Sequence, residues 1–334
     1  MSPETIQKTT AQRLTAYNLF SKTTINTVAT FAGKQSEYKT YQEFLKDIGI
    51  PEVSLHVTQE GVGVPVVDVP ARTKKQKGVL VMHLPMGNSL DPNQLYQIAT
   101  IAAVNPEYRV IGFGNPSGKP FSYPQQNLTF RKRINIAFAK NTRPLIAAEL
   151  DYLAKQGISQ TYQLGYSYGA LKALILSEYS SPSSIEGLIL VEPVAHPRYP
   201  QQLLKDFTSS FKPLGKYVDR TEIPTYFAAR EDAVKLVDYS KGLSRQINIA
   251  IGWMLSRVDF INTFETVLKS HPNSTATVAW GSKSEVGNDA LMTSKMHTYT
   301  HKNPKIRAMR LEDDVHAFAN DIHLHAAIVR EALQ

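Results

Sequence analysis

Gly165-Tyr166-Ser167-Tyr168-Gly169 is the stretch on which the reading of this chain turns. It follows a short strand-like run, Tyr162-Gln163-Leu164, and opens a helix-like run, Ala170 to Leu176. A strand, G-x-S-x-G and a helix, in that order, make a nucleophile elbow: a tight turn that lifts a serine out of the sheet edge. The turn holds the serine in a strained backbone conformation, so its neighbours must be small, which the flanking glycines satisfy. The five-residue pattern is of low specificity by itself, and its surroundings carry the argument.

Upstream, Gly78 to His83 and Tyr108 to Phe113 are continuous apolar runs, as expected of strands covered on both faces. Val53 to Thr58 alternates, and Val64 to Val69 is a further strand that Pro65 assigns to an edge. Helices are expected over Asn93 to Val104 and over Leu128 to Gln156, the second broken near Pro144. Downstream, Ile185 to Val191 is a strand. Strands alternating with helices imply a mainly parallel central sheet with helices on both faces, an α/β fold. The alternation stops at Pro193. From His196 to about Lys269 only amphipathic helical segments follow, at Gln201 to Phe211, Asp232 to Leu243, Ile247 to Leu255 and Val258 to Leu268. Strands return at Thr275 to Trp280 and Ile306 to Arg310, and His323 to Leu333 closes the chain as a helix. The expected organisation is a helical N-terminal extension at 1–50, a core at 51–195 and 271–334, and a helical cap or lid at 196–270. The extension reads as an oligomerisation arm, a surface-bound membrane helix, or a layer packed on the main core; its scattered apolar positions favour the last.

Composition narrows the chemistry. The 334 residues include no cysteine, which excludes disulfides, a thiolate nucleophile and cysteine-based zinc sites. No apolar run of about 18 residues exists, so no transmembrane segment is expected. Met1 to Gln12 is polar and lacks the core of a secretory signal, so the expected location is cytoplasmic. The net charge of +8 comes partly from Arg72 to Lys77 and Arg131 to Arg133. No nucleic-acid-binding motif accompanies these clusters, so they read as solvated loops and helix faces and no nucleic-acid partner is expected. The 9 histidines include no H-E-x-x-H, and no metal is expected.

In order of features, residues 53 to 334 resemble the α/β-hydrolase superfamily in its capped form. His83-Leu84-Pro85-Met86-Gly87 stands where that family has its His-Gly oxyanion loop, and Gly114 to Gly118 where it has an Asp-x-x-Gly turn. Gly165 to Gly169 is the elbow, Trp280 to Glu285 resembles the strand end that carries the acid, and Val315-His316-Ala317-Phe318 resembles the histidine loop. Nucleophile, acid, histidine is the family's chain order. The resemblance implies a serine hydrolase that needs no cofactor.

A neutral serine needs a base within hydrogen-bond reach. His316 is the candidate, in an acidic neighbourhood of Glu312, Asp313 and Asp314. His323 and His325 are expected to face solvent or to cap, and His83 to fix its loop. The acid must hold the imidazole in one tautomer. The family's place for it falls on Ser284, so Glu285 is first in line, with Glu192 and Asp289 as alternatives. Glu192 also reads as a loop-anchoring carboxylate. The oxyanion hole needs two amides. Tyr168, just after the nucleophile, supplies one. Pro85 occupies the other donor's usual place and has no N–H, which leaves Leu84 or Met86. Aromatic residues of the cap, from Phe207 to Phe260, either line an apolar pocket or pack helices together.

The expected activity is hydrolysis of a small to medium carboxylic ester, lactone or thioester, with a small molecule as partner. Other chemistry on the same fold stays open: C–C bond hydrolysis, amidase or peptidase, haloperoxidase-like or acyl-transfer activity. So does a catalytically weakened ligand-binding member. The sequence does not determine the oligomeric state.

Overall fold

The computed structural model describes residues 2–59, 63–86, 90, 92–115, 130–138, 142–194, 201–202, 205–206, 209 and 245–334. The expected helix at 232–243, most of that at 201–211, most of the turn after Gly114, and Phe207, Phe211, Tyr217, Tyr226, Phe227 and Tyr239 lie outside them.

Helices α1 (Pro3–Ala16), α2 (Lys22–Gln35) and α3 (Tyr41–Ile48) come first. Each starts on a hydroxyl cap, Ser2, Ser21 and Thr40, whose oxygen accepts an amide of the first turn. The last ends on Gly49 in the left-handed conformation. The strands follow: β1 (Ser54–Val57), β2 (Gly63–Val69), β3 (Gly78–His83), β4 (Tyr108–Phe113), β5 (Thr161–Tyr166), β6 (Ile185–Val191), β7 (Thr275–Gly281) and β8 (Ile306–Leu311). They form one eight-stranded sheet in the order β1-β2-β4-β3-β5-β6-β7-β8. It is parallel from β4 to β8, with β1 and β2 antiparallel at one end. Pro65 is therefore not in an edge strand. β2 lies between β1 and β4, and the Pro65 carbonyl accepts the Gly114 amide at 2.8 Å. The edge falls to the four-residue β1.

The remaining helices are α4 (Pro92–Val104), α5 (Phe130–Ala137), α6 (Ala147–Lys155), α7 (Tyr168–Glu178), α8 (Arg245–Leu255), α9 (Phe260–Ser270), α10 (Asp289–Lys302) and α11 (Ile322–Ala332). Pro144 separates α5 from α6 within a short 3-10 turn, Arg143–Leu145. Strand alternation sorts the core onto two faces. Leu80, Met82, Val110, Leu164, Ile189 and Ala279 point to one face, under α4, α11 and the N-terminal helices. Val79, Val81, Ile111 and Phe113 point to the other, under α6, α7 and α8. Further along that face, α9 and α10 cover Leu188, Leu190, Val278 and Trp280. Leu14, Val28, Phe44 and Ile48 of the extension are all buried in the first core, and the Phe44 and Tyr96 rings lie 5.1 Å apart.

Candidate active site

β5 ends at Tyr166 and α7 begins at Tyr168, so Ser167 alone makes the turn. Its backbone stands at φ 57, ψ −121, a region L-residues rarely occupy, at a cost of order 1–3 kcal/mol. The Ser167 amide donates to the Val191 carbonyl at 2.9 Å, which ties the turn to β6. The two glycines have a steric role. A Cβ on Gly165 would stand 2.1 Å from the Gly169 carbonyl oxygen, and one on Gly169 would stand 2.2 Å from that of His83. The elbow helix thus lies directly against the loop leaving β3.

The hydroxyl that this turn presents meets an imidazole. His316 Nε2 is 2.8 Å from Ser167 Oγ, and its Nδ1 is 3.0 Å from Glu192 Oε2. The three residues are almost wholly buried. Glu192 follows β6 with φ 49, a second strained position at the end of a strand neighbouring the elbow. Its carboxylate also accepts the Gly281 amide through Oε1 and the Ser284 hydroxyl through Oε2, the latter at 2.7 Å. The loop anchor and the partner of His316 are one group. The His316 carbonyl accepts the Tyr166 hydroxyl at 2.9 Å, so the elbow strand also holds the histidine turn, His316–Asn320.

The carboxylate on His316 is thus not that of Glu285. Glu285 is exposed, and its Oε2 accepts the Ser209 hydroxyl at 2.5 Å. Asp289 is engaged elsewhere: Arg310 binds both its oxygens at 2.7 Å and Trp280 Nε1 donates to it at 2.8 Å. Its hydrogen bonds with Arg310 hold it below the usual carboxylate range. The physical reason for the correction lies in Ser284. At the place expected of the acid, a hydroxyl donates to a carboxylate reaching across from the adjacent strand end.

Of the candidate oxyanion donors, Tyr168 is the first residue of α7, where helix amides lack intrahelical acceptors. Leu84 is buried in the core and Met86 half-buried against the other face. Their loop is tied by Asn115, whose Nδ2 donates to the Pro85 carbonyl at 2.6 Å.

A buried polar cluster supports this loop from below, built on His83, which was expected to fix the loop, and on Gln163, Glu149 and Lys172, which the sequence reading missed. His83 Nε2 is 2.7 Å from Gln163 Oε1, and His83 Nδ1 is 3.2 Å from Glu149. Glu149 also pairs with Lys172 of α7, and all these side chains are buried. Burial pushes the Glu149 carboxyl up, but Lys172 and His83 together hold it below its ordinary range. Its helix places Lys172 on the inward face of α7, which was the available signal. His323 and His325 are likewise buried, against the expectation that they face solvent or cap. α11 is covered by α2 and α4, and Gln35 and Gln97 bind the two rings at 2.8 and 2.5 Å.

No protein-family model matches the sequence, and no curated protein matches it. Solved structures do. A hydrolase from Pseudomonas aeruginosa PA01 superposes with a TM-score of 0.56 at 15% identity, over 84% of this chain and 98% of its own. An esterase from Exiguobacterium antarcticum gives 0.56 at 13% identity, over 83% and 97%. A bromoperoxidase from Bacillus anthracis gives 0.52 at 13%, over 84% and 98%.

The chain has the α/β-hydrolase fold. At these identities the likeness shows the α/β-hydrolase architecture and leaves the reaction to the residues. Within that architecture Ser167, Glu192 and His316 all lie at the carboxyl edge of the sheet, where this fold gathers chemistry from separate strand ends. Among the described residues, no group of three or more His, Asp or Glu side chains could hold a metal ion. No described helix is long and apolar enough to cross a membrane.

Proposed function

We propose that this chain is a serine hydrolase that cleaves small to medium carboxylic esters, including lactones or thioesters, through Ser167, His316 and Glu192. The observation that carries the reading is the continuous hydrogen-bonded line from Ser167 Oγ through both ring nitrogens of His316 to Glu192. Serine attacks the carbonyl carbon while His316 Nε2 takes its proton. Glu192 keeps the other nitrogen protonated and stabilises the imidazolium. The Tyr168 amide, with one from Leu84 or Met86, faces the developing oxyanion. His316 then protonates the leaving group, and water, activated in the same way, releases the acyl group. Burial strengthens each of these electrostatic interactions relative to water.

The segment 196–270 is proposed as the cap that selects the substrate, with 1–50 as an extension to the core. Within that segment Met254 and Phe260 are buried in the core, whereas Trp253 is exposed with the Arg257 guanidinium over its ring.

The test is labelling by a serine-reactive phosphonate together with turnover of a panel of p-nitrophenyl esters. Labelling at Ser167, abolished in Ser167→Ala, supports the reading. A folded protein that neither labels nor turns over any ester overturns it. Pro85 favours a second reading, a ligand-binding member of the fold with weakened catalysis, since it removes a usual oxyanion donor. That reading expects ligand affinity unchanged in Ser167→Ala.

A further inference from the structure

We propose that Arg13, in the last turn of the first helix of the N-terminal extension, and Tyr17, which caps that helix, are positioning residues for the His316 imidazole. This rests on the reading of His316 as the base. The two side chains are four residues apart, and Tyr17 keeps a helical backbone as the C-cap of α1, so they share one face. Each grips an aspartate of the histidine loop. The Tyr17 hydroxyl donates to Asp314 Oδ2 at 2.7 Å, and the Arg13 guanidinium pairs with Asp321. Asp314 lies just before His316, and Asp321 ends the 3-10 turn that His316 begins. One helical face therefore holds both ends of the segment that carries the ring.

Asp314 and Asp321 are both buried, and Asp321 caps α11 by accepting the Leu324 amide at 3.0 Å. A buried carboxylate without its cation is strongly disfavoured, so Asp321 depends on Arg13 to stay where it is. The sheet core holds the same loop too, through its backbone and through the side chains of His316, Phe318 and Asn320. The Lys283 amide donates to the Asp314 carbonyl at 2.8 Å, and the Tyr166 hydroxyl donates to that of His316. The carboxylates of Asp314 and Asp321, at the two ends of the loop, are the groups gripped from the extension, and through them it bears on the loop's tilt. Tilt matters because the ring must satisfy Ser167 and Glu192 together, and displacements of about 1 Å cost orders of magnitude in rate. The extension is anchored independently as well. The Ser21 amide donates to Glu331 at 2.9 Å, and His323 binds Gln35. It stays docked when either grip is removed, so a loss on substitution reports the grip and not undocking.

The experiment uses the full chain with Tyr17→Phe, Arg13→Met and the pair combined, with Arg13→Lys as the conservative variant. The ring is read directly by NMR of 15N-histidine-labelled protein, the His316 signals being assigned with His316→Gln. In the combined variant the resonance of the Nδ1–H shared with Glu192 is expected to broaden or vanish. Phosphonate labelling and kcat should fall about tenfold or more at a temperature well below the melting midpoint, with KM within about twofold. Arg13→Lys should restore part of the loss. Unchanged His316 signals and labelling in a folded variant would overturn the proposal and leave α1 as a packing layer. Should the wild type not label at all, the hydrolase reading fails, and the ring resonances alone decide this one. Should the combined variant not fold, Tyr17→Phe, which deletes one hydroxyl, decides on the same readouts.

Discussion

Glu192 and His316, 124 residues apart in the chain, meet at 3.0 Å because the loop that follows β8 crosses the end of β7, where the Lys283 amide holds it, to reach the end of β6. The carboxylate reaches the ring from a left-handed backbone position and is steadied by the Gly281 amide and the Ser284 hydroxyl. Ser284 donates to the carboxylate that faces His316 and does not itself supply one.

That assignment separates two carboxylates experimentally. Glu192→Gln should lower kcat by about 10² to 10⁴ while the protein stays folded, since the amide no longer favours the productive tautomer. Glu285→Gln should change kcat by less than about twofold, because its group faces Ser209 and solvent and lies off the hydrogen-bonded line. Steady-state kinetics on one ester decides between them, and the reverse pattern would return the role to Glu285.

The elbow tolerates no added carbon. In Gly169→Ala the new methyl meets a backbone carbonyl at 2.2 Å, and backbone cannot step aside as a flexible side chain can. The expected cost is about 3 kcal/mol or more, with activity lost in whatever fraction folds. Gly252→Ala, in α8, where no atom of the described residues lies within 4 Å of the added carbon, is the control and should gain about 0.5–1 kcal/mol from helix propensity. Urea unfolding measures both.

The Lys172–Glu149 pair should show strong non-additivity. Lys172→Met leaves a buried carboxylate whose remaining partner is His83, at an expected cost of about 3–5 kcal/mol. Adding Glu149→Leu removes the stranded charge and should recover most of that loss. A double-mutant cycle on urea midpoints reads the coupling. Simple additivity would mean that the pair contributes nothing as a pair.

Acid should weaken the fold well above the carboxylate range. Burial, helped by the nearby Arg13 charge, pulls His323 from 6.5 to about 3, and burial pulls His325 to about 4 against a hydrogen bond with the Ala319 backbone. Both rings are neutral when folded and take up protons when unfolded below pH 6.5. Their native placement therefore costs nothing above pH 6.5 and destabilises progressively below it, until the folded rings themselves titrate near 4 and 3. Each approaches about 1.4 kcal/mol per pH unit once the pH is well below 6.5, so stability should fall by about 3 kcal/mol between pH 6.5 and pH 5. That is a large share of a typical total of about 5–15 kcal/mol. Urea midpoints across this range test it, and a flat profile would rule out the buried neutral rings.

Local pattern in the sequence determined the strand–helix alternation, the elbow at Ser167 and the histidine loop, because those signals are spacing and steric demand within a few residues. Gly165 and Gly169 are legible without coordinates for that reason. Three things were decided only by the tertiary structure. Strand order put β2 inside the sheet in spite of Pro65. The crossing of β6, β7 and the last loop selected Glu192 over the nearer-seeming Glu285. The docking of α2 and α4 on α11 buried His323 and His325, and α6 against α7 buried Lys172. Each depends on which elements become neighbours. A charged or imidazole side chain carries the same local signature whether the surface beside it is water or another helix, so its environment is a property of the packed chain.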